Sequence, residues 1–132
     1  MVRDRVVVVA ITAAETRVWL LHDEDHAPLF TVGHDALGAK HRRAVTESRA
    51  NAGAHDDDPY FAAIAERIST ASHVVLVGHG SGGSNLSSRF ADWLGVHDPS
   101  LLSRVEATRH LDLPAMTDAQ IVADARRAWF AR

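Results

Sequence analysis

The chain has no cysteine among its 132 residues. Disulfides, thiolate nucleophiles and cysteine-ligated zinc are therefore excluded. It has no long apolar run either. Val6 to Ile11 is far too short to span a bilayer, and the N-terminus lacks the long apolar core of a signal peptide. These absences predict a cytoplasmic protein without a membrane partner. A strong positive charge is missing as well. The formal net charge of −3 argues against nonspecific coating of nucleic acid and leaves room only for a local basic patch.

The composition that is present, 46% hydrophobic and 23% charged, suits a soluble globular chain long enough to bury a core. A single domain over residues 1–132 is expected. The nine histidines invite a metal or a pH-sensing role. They are scattered, and no His-x-x-x-His pair is followed by a suitable third ligand, so no metal or cofactor is expected.

Arg5 to Thr12 and His73 to Gly78 are short runs with apolar residues on both faces, as strands of a sheet covered on both sides require. Thr16 to His22 and Ala27 to Gly33 complete an antiparallel meander with the first run. Pro28 places the third strand at an edge. Residues 34–57 show no sustained apolar period and read as a long loop, of a length that is usually functional or disordered. Asp58-Pro59 starts a helix whose stripe is Phe61, Ile64, Ala65 and Ile68. A second helix carries Leu86, Phe90, Trp93 and Leu94 and is expected to stop at Gly95. Asp98-Pro99 caps a short turn through Leu102, and Arg104 to His110 is a fifth strand. Thr117-Asp118-Ala119-Gln120 is a capping box, with Ile121, Val122, Ala125 and Trp129 facing inward after it. The order β-β-β-α-β-α-β-α predicts an α/β fold with a mixed sheet, the ribonuclease H-like arrangement.

Three constellations bear on chemistry. Gly78, Gly80 and Gly83 satisfy G-x-G-x-x-G after a strand and before a helix, so the amides of Gly80, Ser81, Gly82 and Gly83 form an anion-binding candidate. The neighbouring motifs fail. Ser84-Asn85 stands where a phosphate-binding loop needs lysine, His79 spoils a Gly-x-Ser-x-Gly elbow around Ser81, and Asp112 is the nearest candidate for a ribose acid. A tight turn that uses glycine for geometry alone is at least as good a reading. His79 and His110 both end parallel strands and, with Asp112, are the acid/base candidates of an alternative in which a small enzyme takes a phosphate or nucleotide ligand. Lys40, His41, Arg42, Arg43 and Arg49 place cations without stacking aromatics, which suits phosphate contact over sequence readout. The first strand carries no internal acid, so the carboxylate cluster of a two-metal nuclease is not visible. A third reading is an oligomeric module that exposes an apolar strand edge or a Trp19 patch.

Several stretches together resemble a known family. These are the opening strand and hairpin through Trp19, Lys40-His41-Arg42-Arg43, Tyr60-Phe61 with Ala65-Glu66, His73 to Ser84, and Met116 to Ile121. In order and spacing they resemble the ribonuclease H-like middle domain of archaeal and eukaryotic class 1 release factors and of Pelota. They resemble still more the small stand-alone bacterial proteins called translational machinery or host-attachment proteins. The resemblance implies association with the ribosome, tRNA or rRNA through the basic loop. It does not carry the activity over. Arg43-Ala44-Val45 occupies the place of Gly-Gly-Gln, whose glutamine positions water to cleave peptidyl-tRNA, and the lysine many relatives have near position 84 or 85 is absent. The neighbouring domains that read a stop codon or recruit partners have no counterpart. A non-catalytic, ribosome- or RNA-binding domain is the resulting expectation, with homo-oligomerisation left open.

Overall fold

Six consecutive apolar residues form strand β1 (Val6–Ile11), and all six are buried. Successive side chains of a strand point to opposite faces, so this burial requires a layer on each side of the sheet. A computed structural model, describing residues 5–22, 27–33, 58–79 and 85–132, supplies both layers. Strands β2 (Glu15–Leu20), β3 (Phe30–Gly33), β4 (His73–His79) and β5 (Val105–Leu111) join β1 in one sheet of order β3-β2-β1-β4-β5. The pairs β1–β2 and β2–β3 are antiparallel, and β1–β4 and β4–β5 are parallel. The expected meander, parallel half and ribonuclease H-like α/β arrangement are all observed. The middle strand is β1, with β4 beside it.

The two faces bury separate cores. Val7, Val9, Ile11, Val74 and Leu76 point to a layer made by helices α1 (Asp58–Arg67) and α2 (Leu86–His97), which contribute Phe61, Ile64, Phe90 and Leu94. Val6, Val8, Ala10, Val75 and Val77 point the other way. There they meet Ile121, Val122, Ala125 and Trp129 of α4 (Asp118–Ala131). Trp19 is 1% exposed in that second core, so it forms no surface patch.

Local chemistry sets the element ends. The capping box on α4 is complete: the Gln120 amide donates to Thr117 Oγ1 at 3.2 Å, and the Thr117 amide donates to Gln120 Oε1 at 2.9 Å. Asp98 Oδ1 accepts from the Leu101 amide at 3.2 Å and starts the short helix α3 (Pro99–Leu102). Several boundaries move by a residue or more from expectation, and two of these shifts have a visible cause. Helix α2 continues past Gly95 to His97 and ends where the Asp98 amide donates to Leu94 O. A Cβ at Gly95 would lie 3.5 Å from Leu102 Cδ2, an ordinary contact, so this glycine lies where α3 packs close and does not mark a stop. Strand β3 begins at Phe30, because Pro28 and Leu29 precede its ladder with β2.

Candidate functional site

The parallel strands β1, β4 and β5 end along one edge of the sheet. The next element after β1 is a tight turn built on Thr12. Its hydroxyl donates to Glu15 O at 2.8 Å and accepts from the Ala14 and Glu15 amides at 3.3 and 3.2 Å. Helix α1 is pinned beside this turn by Tyr60. The Tyr60 phenol donates to Thr12 O at 2.9 Å and lies 2.6 Å from Thr16 Oγ1. With the phenol proton committed to the carbonyl, the buried Thr16 hydroxyl donates to Tyr60 Oη.

The exit of β4 is built more tightly still. A Cβ on Gly78 would fall 2.1 Å from both Asn85 Oδ1 and Ser87 Oγ, so no side chain fits there. Glycine is needed because the N-terminus of α2 lies directly on the strand. Asn85 caps that helix: its Oδ1 accepts from the Ser87 amide at 2.9 Å and from the Ser87 hydroxyl. Its other end reaches back, with Nδ2 donating to His79 O at 2.7 Å. Both Asn85 and Ser87 are buried. One side chain thus joins the two described residues that flank positions 80–84.

His79 and His110 both reach this edge, but they do not converge. The register sets His79 opposite Leu111 and His110 opposite Gly78. Paired residues of neighbouring strands share a face. Leu111 packs into the α4 core, whereas Gly78 faces Asn85 and Ser87 of the α2 layer. The two imidazoles therefore lie on opposite faces of the sheet. His79 has a different neighbour in Asp112, with Nδ1 3.9 Å from Oδ1 and both side chains largely exposed. Among the described residues, no group of three or more His, Asp or Glu side chains is placed to hold a metal ion.

The basic candidates Lys40, His41, Arg42, Arg43 and Arg49 lie outside the described residues, as do Gly80, Ser81, Gly82 and Gly83. The residues that flank them are described. Gly33, the last of β3, pairs with Glu15 beside the Thr12 turn. Asp58 opens α1, the helix that Tyr60 fixes to that turn. His79 and Asn85 stand at the neighbouring strand exit. The two segments on which the sequence concentrates its candidate phosphate contacts thus leave and rejoin the fold along one edge.

Polar ties hold α4 to the sheet around that edge. Arg17 of β2 forms a close ion pair with Asp118 in the first turn of α4, where a carboxylate also meets the helix dipole favourably. Further along, Arg109 grips the largely buried Asp124 with two hydrogen bonds, Nε to Oδ1 at 2.7 Å and Nη2 to Oδ2 at 3.2 Å. The Arg109 pKa is raised above its ordinary value, first by this hydrogen bonding and then by the carboxylate charge. The sequence assigns no such contact to Asn85, Tyr60 or Asp124. Only Asn85 carried a local signal, an Asn directly before an apolar helical stripe.

No protein-family model matches the chain, and no curated protein matches it. Among solved structures, that of Archaeoglobus fulgidus Pelota is similar, with a TM-score of 0.50 and 14% sequence identity. The similarity covers 98% of this chain and 36% of the Pelota chain, whose crystal structure reveals inter-domain structural plasticity. At that identity the likeness is one of fold. The chain has a Pelota-like α/β fold and spans about a third of that neighbour's length.

Proposed function

We infer that the chain is a translation-associated domain that binds the ribosome, tRNA or rRNA by phosphate contacts and does no chemistry on them. In this reading residues 1–132 are one domain akin to the ribonuclease H-like middle domain of class 1 release factors and Pelota, and to stand-alone bacterial proteins of that type. Lys40, His41, Arg42, Arg43 and Arg49 contact phosphate. The amides of Gly80 to Gly83 offer a second anion site. The observation that carries the reading is the shared edge: Gly33, Asp58, His79 and Asn85, which flank the basic and glycine-rich segments, lie together where β1 and β4 end. Helix α2 also begins there with no acidic residue in its first turn, so its N-terminal dipole favours a polyanion, whereas Asp58 already occupies the first turn of α1. The Pelota-like fold supports the translational context. The absence of Gly-Gly-Gln at Arg43-Ala44-Val45 supports binding without peptidyl-tRNA hydrolysis.

The test is titration of ribosomes and of tRNA with wild type and with an Arg42→Ala/Arg43→Ala variant at several salt concentrations. Saturable binding that weakens steeply with salt, and is lost in the variant, is expected. Equal binding by both proteins, or none by either, overturns the reading.

A second reading has one observation in its favour, the His79–Asp112 pair next to positions 80–84. In it the chain takes a small phosphate or nucleotide at the glycine segment, with His79 exchanging a proton. His110 lies on the opposite face and stands outside such a site. Inorganic phosphate or a nucleotide should then shift the His79 ring resonances on titration. Unmoved resonances at saturating ligand would dismiss it.

A further inference from the structure

Strand β5 is an edge. Among the described residues it pairs only with β4, so its outer row of backbone N–H and C=O groups has no strand beside it. Glu106, Thr108, Arg109 and His110 are exposed along it. Such an edge is a template for another strand, and proteins blunt it with charges or a bulge where pairing is harmful. Both devices are present here but cover only part of the strand. The register shifts opposite Val74 and Val75, which leaves Ala107–Leu111 regular. Glu106 is engaged by His73 at 3.1 Å, and Arg109 by Asp124 at 2.7 Å, so neither charge stands loose across the edge.

We propose that β5 pairs antiparallel with β5 of a second copy of the chain about a two-fold axis at Thr108, extending the sheet across both copies. The occupant follows from register and charge. An axis at Thr108 sets Ala107 opposite Arg109 of the second copy within the regular stretch and leaves the bulged Glu106 on the side of His110, so no like charges meet. Shifting the axis to Arg109 sets Arg109 opposite itself, which is destabilising in a directly opposed pair. Shifting it to Ala107 puts the bulged Glu106 directly beside the axis, opposite Thr108, where the ladder is irregular. Thr108 is uncharged and β-branched, which suits an intermolecular pair. The symmetric register also works whichever set of β5 amides faces outward. If Thr108 faces out, it bonds its own copy; if not, Ala107 and Arg109 bond each other reciprocally. One strand pair is a small interface, so the association is weak and concentration-dependent.

The chain has no cysteine, so a single introduced thiol reports the contact cleanly. Thr108→Cys should form a disulfide-linked dimer under mild oxidation, because the axis brings the two thiols together. Ser103→Cys, exposed before the strand and remote from its own copy in this register, should not. Light scattering on wild type should show the mass rising toward twice that of one chain as concentration increases. Thr108→Lys, which sets two ammonium groups face to face at an exposed position, should hold the mass at one chain with an unchanged melting curve. Three results would each overturn the proposal: a single-chain mass at every concentration, dimerisation of Thr108→Lys at wild-type strength, or equal cross-linking of Ser103→Cys. Mixed disulfides of Thr108→Cys with a different protein, in place of the homodimer, would also reject a second copy as the occupant.

Discussion

Asn85 donates its side-chain amide to the backbone carbonyl of His79 at 2.7 Å. The same residue caps α2 through Oδ1. It therefore fixes how far the chain travels between strand and helix. Loss of an N-cap costs about 0.5–2 kcal/mol, and an orphaned buried carbonyl adds to that. Asn85→Ala should lower stability by about 2 kcal/mol, read as an earlier midpoint in urea. Asn85→Asp keeps the cap acceptor but turns an acceptor toward His79 O, so it should recover little. A wild-type midpoint for Asn85→Ala would mean the clamp contributes nothing.

Gly78 is under a harder constraint than the glycines of an ordinary turn. Its missing Cβ would meet Asn85 Oδ1 and Ser87 Oγ at 2.1 Å and Ser87 Cβ at 2.7 Å. Gly78→Ala should therefore destabilise by about 1–3 kcal/mol through overpacking. Adding Ser87→Ala removes one of the three contacts and should recover only part of the loss. Complete recovery in the double variant would show that Ser87 Oγ was the sole obstacle.

Much of the fold was legible because the sheet is buried on both faces. Val6–Ile11 and Val74–Val77 are apolar without alternation, which identifies inner strands without knowledge of their neighbours. Strand order was less accessible: both runs read as inner strands, and only the pairing makes β1 the middle of the sheet and β4 the middle of its parallel half. Gly95 looked like a helix stop because local rules take no account of Leu102 packing beside it. The relation of His79 to His110 depends on a register that pairs them with Leu111 and Gly78, and no local pattern encodes that. The Asn85 clamp links chain positions through space, so its donor side was invisible in advance.

Tyr60 joins α1 to the β1–β2 turn through one phenol oxygen. Tyr60→Phe leaves the ring in place and orphans the buried Thr16 hydroxyl. The expected loss is about 1–2 kcal/mol in urea unfolding. Thr16→Val in the same background removes the orphan and should narrow the deficit, because a pair of apolar partners costs less than one unsatisfied group. If the deficit does not narrow, the Thr16–Tyr60 bond is not what Tyr60→Phe disrupts.

The Arg109–Asp124 pair makes a prediction about alkaline pH. Arg109 has a raised pKa in the folded chain, so the stabilisation tied to its charge is complete below the ordinary arginine range. That stabilisation disappears only as pH climbs through the raised folded value. The difference in stability between wild type and Arg109→Met should therefore be the same at about pH 7 and about pH 10. A difference that shrinks between those values would show that another group, titrating in that window, carries it.

Arg109→Met is also the control for the RNA reading, because its guanidinium is already committed to Asp124. Each phosphate neutralised releases counterions, so the logarithm of the binding constant falls with the logarithm of salt by about 0.7–0.9 per contact. If Arg42 and Arg43 each meet a phosphate, the Arg42→Ala/Arg43→Ala variant should flatten that slope by about 1–2. Arg109→Met removes one positive charge from the same chain but no contact, so its slope should match wild type. Equal flattening by the two variants would mean that net charge alone governs binding and that residues 40–43 hold no privileged place. A flattened slope in the first alone would assign the contacts to the segment that begins at Gly33 and rejoins the fold at Asp58.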